Sequence, residues 1–166
     1  MTQIHHKPLY DRIRKNQNEL RLIILNVAKA LELLAENNIV HSDLKTENIL
    51  VREKTPEEML REDSDPAISI AETKLIDYGS SFVFNNLRQF SMATPEYMAP
   101  EILNFILYEN ELEYIHRLLE YVQKYHKPWV IDVWSLGCVL LEIVSGIPLW
   151  MSLKTRVKKP ASSSPE

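Results

Sequence analysis

The sequence predicts a mainly α-helical fold carrying one small β-hairpin, and three stretches predict it. Leu20, Ile23, Ile24, Val27, Leu31, Leu34 and Ala35 recur at steps of three and four residues, the period of a helix with one apolar face. Residues 130–145 are apolar nearly all round, the composition of a helix buried on most sides. Between them, residues 48–52 and 73–76 are short runs of Ile, Leu, Val and Thr that read as two strands.

Composition bounds the class. A chain of 166 residues can bury one respectable core, so one domain is the default. Hydrophobic residues at 45% and charged residues at 25% describe a soluble globular protein. A net charge of -4 argues against a general nucleic-acid-binding surface. Cys138 is the single cysteine, so no internal disulfide can form, which suits an intracellular setting. Asp132 and Glu142 interrupt the apolar run 129–150. Each acid costs roughly 2.5–3.5 kcal/mol near a bilayer centre, so the run reads as a core helix and no membrane partner is expected.

Taken in order, residues 1–15 read as a polar, basic N-terminal extension with no apolar signal segment. His5-His6 has too few neighbouring ligands for a tetrahedral metal site. Asn16 or Asn18 caps a helix that runs to about Glu36, and Asn37-Asn38 ends it. Lys29 falls on its solvated face. Residues 53–72, acidic and broken by Pro56 and Pro66, read as a solvated insertion in which Ser64 is exposed. Residues 80–94 are irregular and rich in hydroxyls. Leu112, Ile115, Leu118, Leu119 and Val122 predict an extra helix over 105–127, with His116 and His126 at its surface or otherwise satisfied. Gly146 fits a C-terminal cap of the apolar helix, followed by Pro148. The tail 154–166, basic and then Ser/Pro-rich, reads as disordered.

The chemistry concentrates in His41-Ser42-Asp43-Leu44-Lys45-Thr46-Glu47-Asn48. An acid, an ammonium and an amide stand together between apolar runs, which is costly unless they do chemistry or cap a turn. Phosphoryl transfer uses this spacing. An aspartate accepts or orients the hydroxyl proton, a lysine two residues on steadies phosphate charge, and an asparagine five residues on holds magnesium. If the two strands pair antiparallel, the start of the first and the end of the second lie at one edge, so Asn48 and Asp77 face one space. An amide oxygen and a carboxylate suit Mg2+, a hard cation. The plainer alternative makes Asp77 the start of a tight turn with Gly79.

The 41–48 octapeptide resembles the catalytic loop of protein kinases, H-x-D-L-K-x-x-N. Asp77-Tyr78-Gly79 resembles the DFG motif. Thr94-Pro95-Glu96-Tyr97-Met98-Ala99-Pro100-Glu101 resembles the end of the activation segment, and Asp132-Val133-Trp134-Ser135-Leu136-Gly137 the start of the central helix of the large lobe. The resemblance covers residues 16–153 and implies a protein-kinase-like C-terminal lobe, incomplete, from an ATP-dependent protein serine/threonine kinase with ATP and Mg2+ as cofactors and a protein as substrate. It implies Asp43 and Lys45 as catalytic, Asn48 and Asp77 as metal ligands, and Leu50 and Asp77 at the nucleotide. Ile49, Leu50 and Val51 would floor the adenine, supported by Val139 and Ile143. His41, Tyr78, Gly79, Thr94, Glu101 and Asp132 take structural or activation-segment roles. Asp132 would bond back to catalytic-loop backbone, and Lys45 would bridge Asp43 and Thr94, a serine/threonine-kinase feature.

The sequence also departs from the family. Ser42 stands where many kinases have the arginine that pairs with a phosphorylated activation loop. In the family Glu101 pairs with an arginine far downstream, in a region not expected within these residues, so Glu101 is expected to lack that partner. The glycines, Gly79, Gly137 and Gly146, cannot write a G-x-G-x-x-G phosphate loop, and Val27-Ala28-Lys29 is helical in period rather than a kinase strand lysine. A small lobe is therefore not expected within these residues, and the isolated chain is expected to transfer little or no phosphate. The alternative reading is a non-catalytic, pseudokinase-like binding or scaffold module. A third possibility is that the chain does not fold stably alone. The 77–81 and 134–138 runs resemble the dual-specificity tyrosine-regulated branch while 94–101 is more generic, so no subfamily is assigned.

Overall fold

Asn16 joins the first two helices, and its side chain explains where the second begins. The computed structural model describes residues 1–61, 63–83, 94–100, 103 and 129–147. Helix α1 spans Lys7–Lys15 and helix α2 spans Gln17–Glu36. Asn16 Oδ1 accepts from the amides of Asn18 and Glu19, satisfying two of the orphan donors at the start of α2. Its Nδ2 donates to the Ala67 carbonyl at 2.9 Å, which ties the helix entry to the 53–72 stretch. Helix α2 buries Ile23, Val27 and Leu31 and leaves Lys29 exposed, as its period predicts. Asn37 caps it, and Asn38 turns the chain away with φ 55°.

The predicted hairpin forms. Strand β3 (Ile49–Glu53) pairs antiparallel with β4 (Ile70–Leu75), in the register Ile49↔Leu75 and Val51↔Thr73. Ile49 and Val51 enter the core. A register shift beside Arg52 and Glu53 brings Glu53 opposite Ile70. The bulge resets the alternation, so Ile70 and Leu75, an odd number of positions apart, are both buried. The intervening stretch is largely exposed among the described residues, as expected. It also contains a short helix α3 (Pro56–Met59) closed by a capping box between Thr55 and Glu58.

Three expectations are corrected. Residues 1–15 are no loose extension. Strand β1 (Thr2–Gln3) adds to the other edge of β3, through Thr2↔Val51 and Gln3↔Leu50, and α1 buries Leu9 and Ile13 beside Ile4. The β content therefore exceeds one hairpin, since β2 (Ile39–Val40) also pairs antiparallel with β5 (Phe82–Val83). Helix α4 (Val130–Ser145) is not buried on most sides. Ile131, Ser135, Val139 and Ile143 face inward, while Val133, Leu141 and Val144 are each more than half exposed. Gly146 does cap it in the left-handed region, φ 83°.

The main core joins α1, α2, β3, β4 and α4 through residues such as Ile13, Val27, Ile49 and Ile143. A second cluster of Val40, Phe82, Met98, Ala99 and Ile131 sits under the β2–β5 pair. The expected helix over 105–127, the tail 154–166 and Glu101 lie outside the described residues.

Candidate active site

The 41–48 loop is almost wholly buried yet polar, and most of its polar groups are paired, His41 Nδ1 being a buried exception. Leu44, fully buried, anchors the loop in the core. Asp43 and Lys45 flank it and meet on its other side. Lys45 Nζ donates to Asp43 Oδ2 at 2.8 Å and lies 2.9 Å from Thr94 Oγ1. Thr94 donates to Asp43 Oδ1 from its amide at 2.9 Å and from its hydroxyl at 2.8 Å. Burial is the largest influence on Asp43 and pushes its carboxyl up. The hydrogen bonds from Lys45 and Thr94 together outweigh it and hold the group below its ordinary value. Asp43 is therefore an anion at neutral pH.

Asn48 ends the 3-10 turn Thr46–Asn48, which is why it faces back along the loop. Its Nδ2 donates to the Asp43 carbonyl at 2.7 Å and approaches Asp43 Oδ2 at 3.2 Å. With the amide nitrogen committed, Oδ1 is the atom left for a cation. The hairpin carries Asp77 to the same end, since the Ile76 amide donates to the Asn48 carbonyl at 2.9 Å. Asp77 is exposed and adopts φ 64°, a left-handed conformation that aspartate tolerates better than most residues. Its Oδ1 accepts from the Gly79 amide at 3.3 Å, and a Cβ at Gly79 would stand 3.2 Å from that oxygen. Glycine thus keeps the carboxylate uncrowded. The turn and the ligand are compatible rather than rival readings of Asp77.

Asp132 holds the loop from behind, and His41 ties the loop to Ile76 and Tyr78. Asp132, at the start of α4, accepts from the His41 amide at 2.8 Å and the Ser42 amide at 2.9 Å. His41 Nε2 lies 3.0 Å from the Ile76 carbonyl; a carbonyl only accepts, so Nε2 carries the hydrogen. The His41 ring also meets Tyr78 edge to face, with centroids 5.0 Å apart.

Leu50 is half-buried on the face of β3 opposite Ile49 and Val51. Ile49 and Val51 pack in the core with Val139 and Ile143. The expected three-residue floor is therefore divided, with Leu50 alone of the three on the outer face.

Sequence reasoning missed Glu142. It lies 9% exposed within α4, accepts a short hydrogen bond from the Tyr97 hydroxyl, and stands 3.3 Å from Thr46 Oγ1. Burial raises its carboxyl above the ordinary range. Tyr97 is raised as well, first by burial and then by its bond to Glu142. The group ties the 41–48 loop, the 94–97 segment and α4 together. The available signal was an acid inside an otherwise apolar helix, which requires a partner.

Comparison with known proteins gives the family. The family model described as protein kinase domain matches residues 1–163, so the chain belongs to the protein kinase family. It is 33% identical over 156 residues to serine/threonine-protein kinase ppk5 of Schizosaccharomyces pombe, covering 90% of this chain and 15% of that protein. It is 30% identical over 165 residues to probable serine/threonine-protein kinase dyrk2 of Dictyostelium discoideum, covering 95% of this chain and 13% of that protein. Dual specificity tyrosine-phosphorylation-regulated kinase 2 of Drosophila melanogaster is 28% identical over 148 residues, 86% of this chain and 16% of that protein. The chain thus spans about one-seventh of the length of these relatives. Among the described residues no helix is long and apolar enough to cross a membrane.

Proposed function

We propose that this chain is the large-lobe portion of an ATP-dependent protein serine/threonine kinase. The carrying observation is the Asp43 carboxylate, held by Lys45 and Thr94 at the hairpin end that also bears Asn48 and Asp77. Asp43 orients a substrate hydroxyl and takes its proton. The hydroxyl oxygen bonds to the γ-phosphorus as the bond to the β–γ bridging oxygen breaks. The products are the phosphoester, ADP and a proton. Lys45 faces the charge on the moving phosphoryl group.

The donor set fits magnesium. Asn48 Oδ1 and the Asp77 carboxylate are hard oxygen ligands, and Mg2+ is commonly held by one or two carboxylates together with substrate phosphates and water. When bound, the ion neutralises phosphate charge. Leu50 would lie under the nucleotide base. The bridge from Lys45 to Thr94 and the serine/threonine names of the relatives support serine or threonine as acceptor.

The second reading is a non-catalytic, pseudokinase-like binding module. One assay separates the two. The gene's full-length product is incubated with Mg2+, γ-labelled ATP and a generic protein substrate. The kinase reading expects label on serine or threonine, falling by a factor of about 10²–10⁴ in Asp43→Asn, the range for loss of a positioned base. Undetectable transfer by a folded, ATP-binding wild type supports the binding module instead.

A further inference from the structure

Asp77 sits in a strained backbone conformation at an exposed position, and something must hold it there. Two consecutive loop residues bracket it. Upstream, His41 Nε2 donates to the Ile76 carbonyl at 3.0 Å. Downstream, Ser42 Oγ donates to the Ser80 carbonyl at 2.6 Å. A third bond runs the other way, from Ser81 Oγ to the His41 carbonyl at 3.2 Å. Beyond them the chain enters the β2–β5 pair at Val40↔Phe82. Ser42 is itself in the left-handed region, φ 64°, with its amide fixed by Asp132. That unusual backbone is what aims its hydroxyl at Ser80 rather than at solvent.

We propose that Ser42 is a positioning residue for Asp77: its hydroxyl clamps the 77–80 turn against the loop that bears Asp43. This rests on the reading of Asp77 as a metal ligand given above. A fixed turn presents the carboxylate at one place relative to Asn48, while a loosened turn must be ordered again each time a cation binds. Serine suits the position because its short side chain reaches a carbonyl directly.

The test uses the 166-residue chain with Ser42→Ala, Ser42→Gly and Asp77→Asn. Glycine accepts φ 64° without strain, so Ser42→Gly removes the hydroxyl while favouring the fold, and Ser42→Ala removes it and keeps the strain. Hydrogen exchange is read at the Ser81 amide, which bonds the Tyr78 carbonyl, and at Val27 in α2 as a control. Mn2+ binding is read by electron paramagnetic resonance. Both serine variants should speed exchange at Ser81 by roughly three- to tenfold, the scale of one hydrogen bond, leave Val27 unchanged, and weaken Mn2+ binding by a similar factor. Unchanged exchange at Ser81 in Ser42→Gly overturns the clamp, and so does faster exchange with undiminished Mn2+ affinity when Asp77→Asn abolishes binding. If Asp77→Asn binds Mn2+ like wild type, the metal reading of Asp77 falls, and the exchange comparison alone decides whether Ser42 holds the turn.

Discussion

Asp132 shows how much depends on a single buried side chain. Its carboxylate accepts two backbone amides, from His41 and Ser42, at 2.8 and 2.9 Å. Hydrogen bonds to a charged group are worth about 1.5–3 kcal/mol each, and orphaned amides add their own desolvation cost. Asp132→Ala should therefore destabilise the chain by about 3–5 kcal/mol in urea unfolding, and Asp132→Asn by less, since one acceptor survives. Glu142 is the counterpart behind the 94–97 segment. Tyr97→Phe leaves that buried carboxylate short of a donor and should cost about 1–3 kcal/mol. Glu142 and Asp43 have opposite pH signatures. Glu142 is raised in the fold, so its contribution is fully present below its unfolded value of 4.5 and is lost as pH rises through its folded value. Asp43 is lowered, so its contribution is present above 3.8 and lost as pH falls through its folded value. Stability measured against pH should decline above pH 4.5 in wild type, and less so in Glu142→Gln. The closeness of Asp43, Lys45 and Asn48 could be read from the sequence because they lie within six residues of one another. The contacts of Glu142 and Ser42 could not, because their partners lie far along the chain and only folding reveals them.

Elements separate by how much local pattern they carry. Helix α2 repeats its apolar face over five turns and has a capping asparagine, so the sequence alone bounds it closely. Asn16→Ala should cost about 1 kcal/mol, the usual value of an N-cap, by thermal or denaturant unfolding. Helix α1 offers two inward residues, Leu9 and Ile13, on a strongly basic segment, and β1 is two polar residues long. Strand β1 is too short to carry a period, and α1 carries a single four-residue apolar step, Leu9 to Ile13. Both exist because β3 has an edge to fill and the end of α4 has carbonyls to satisfy. Tyr10 donates to the Glu142 carbonyl, and Arg14 Nε to the Val144 carbonyl at 3.1 Å. Ile13→Ala should cost about 2–5 kcal/mol, the range for a fully buried isoleucine, which a dispensable extension would not show. The β2–β5 pair was illegible for the same reason, being two residues on each side.

At the scale of the molecule, the sequence led to the right family and misjudged how enclosed the apolar helix is. Uniform apolarity says that α4 avoids water; it does not say that these residues supply all of its cover. Val133 and Leu136 border a cleft of about 430 Å³ with α2, and Leu140 borders another of about 480 Å³. Exposed apolar surface of this kind favours association. The purified chain should show a mass that rises with concentration in sedimentation velocity, and the pair Val133→Glu and Leu141→Lys should suppress the rise without lowering Tm. Whether Asp43, Asn48 and Asp77 make one phosphate-handling site can be decided by nuclear magnetic resonance of the chain titrated with Mn2+ and ATP. The Asn48 side-chain amide and the Asp77 backbone amide should broaden together at the same Mn2+ concentration, and Asp77→Asn should abolish both effects. Broadening at one of them with the other untouched contradicts a single site.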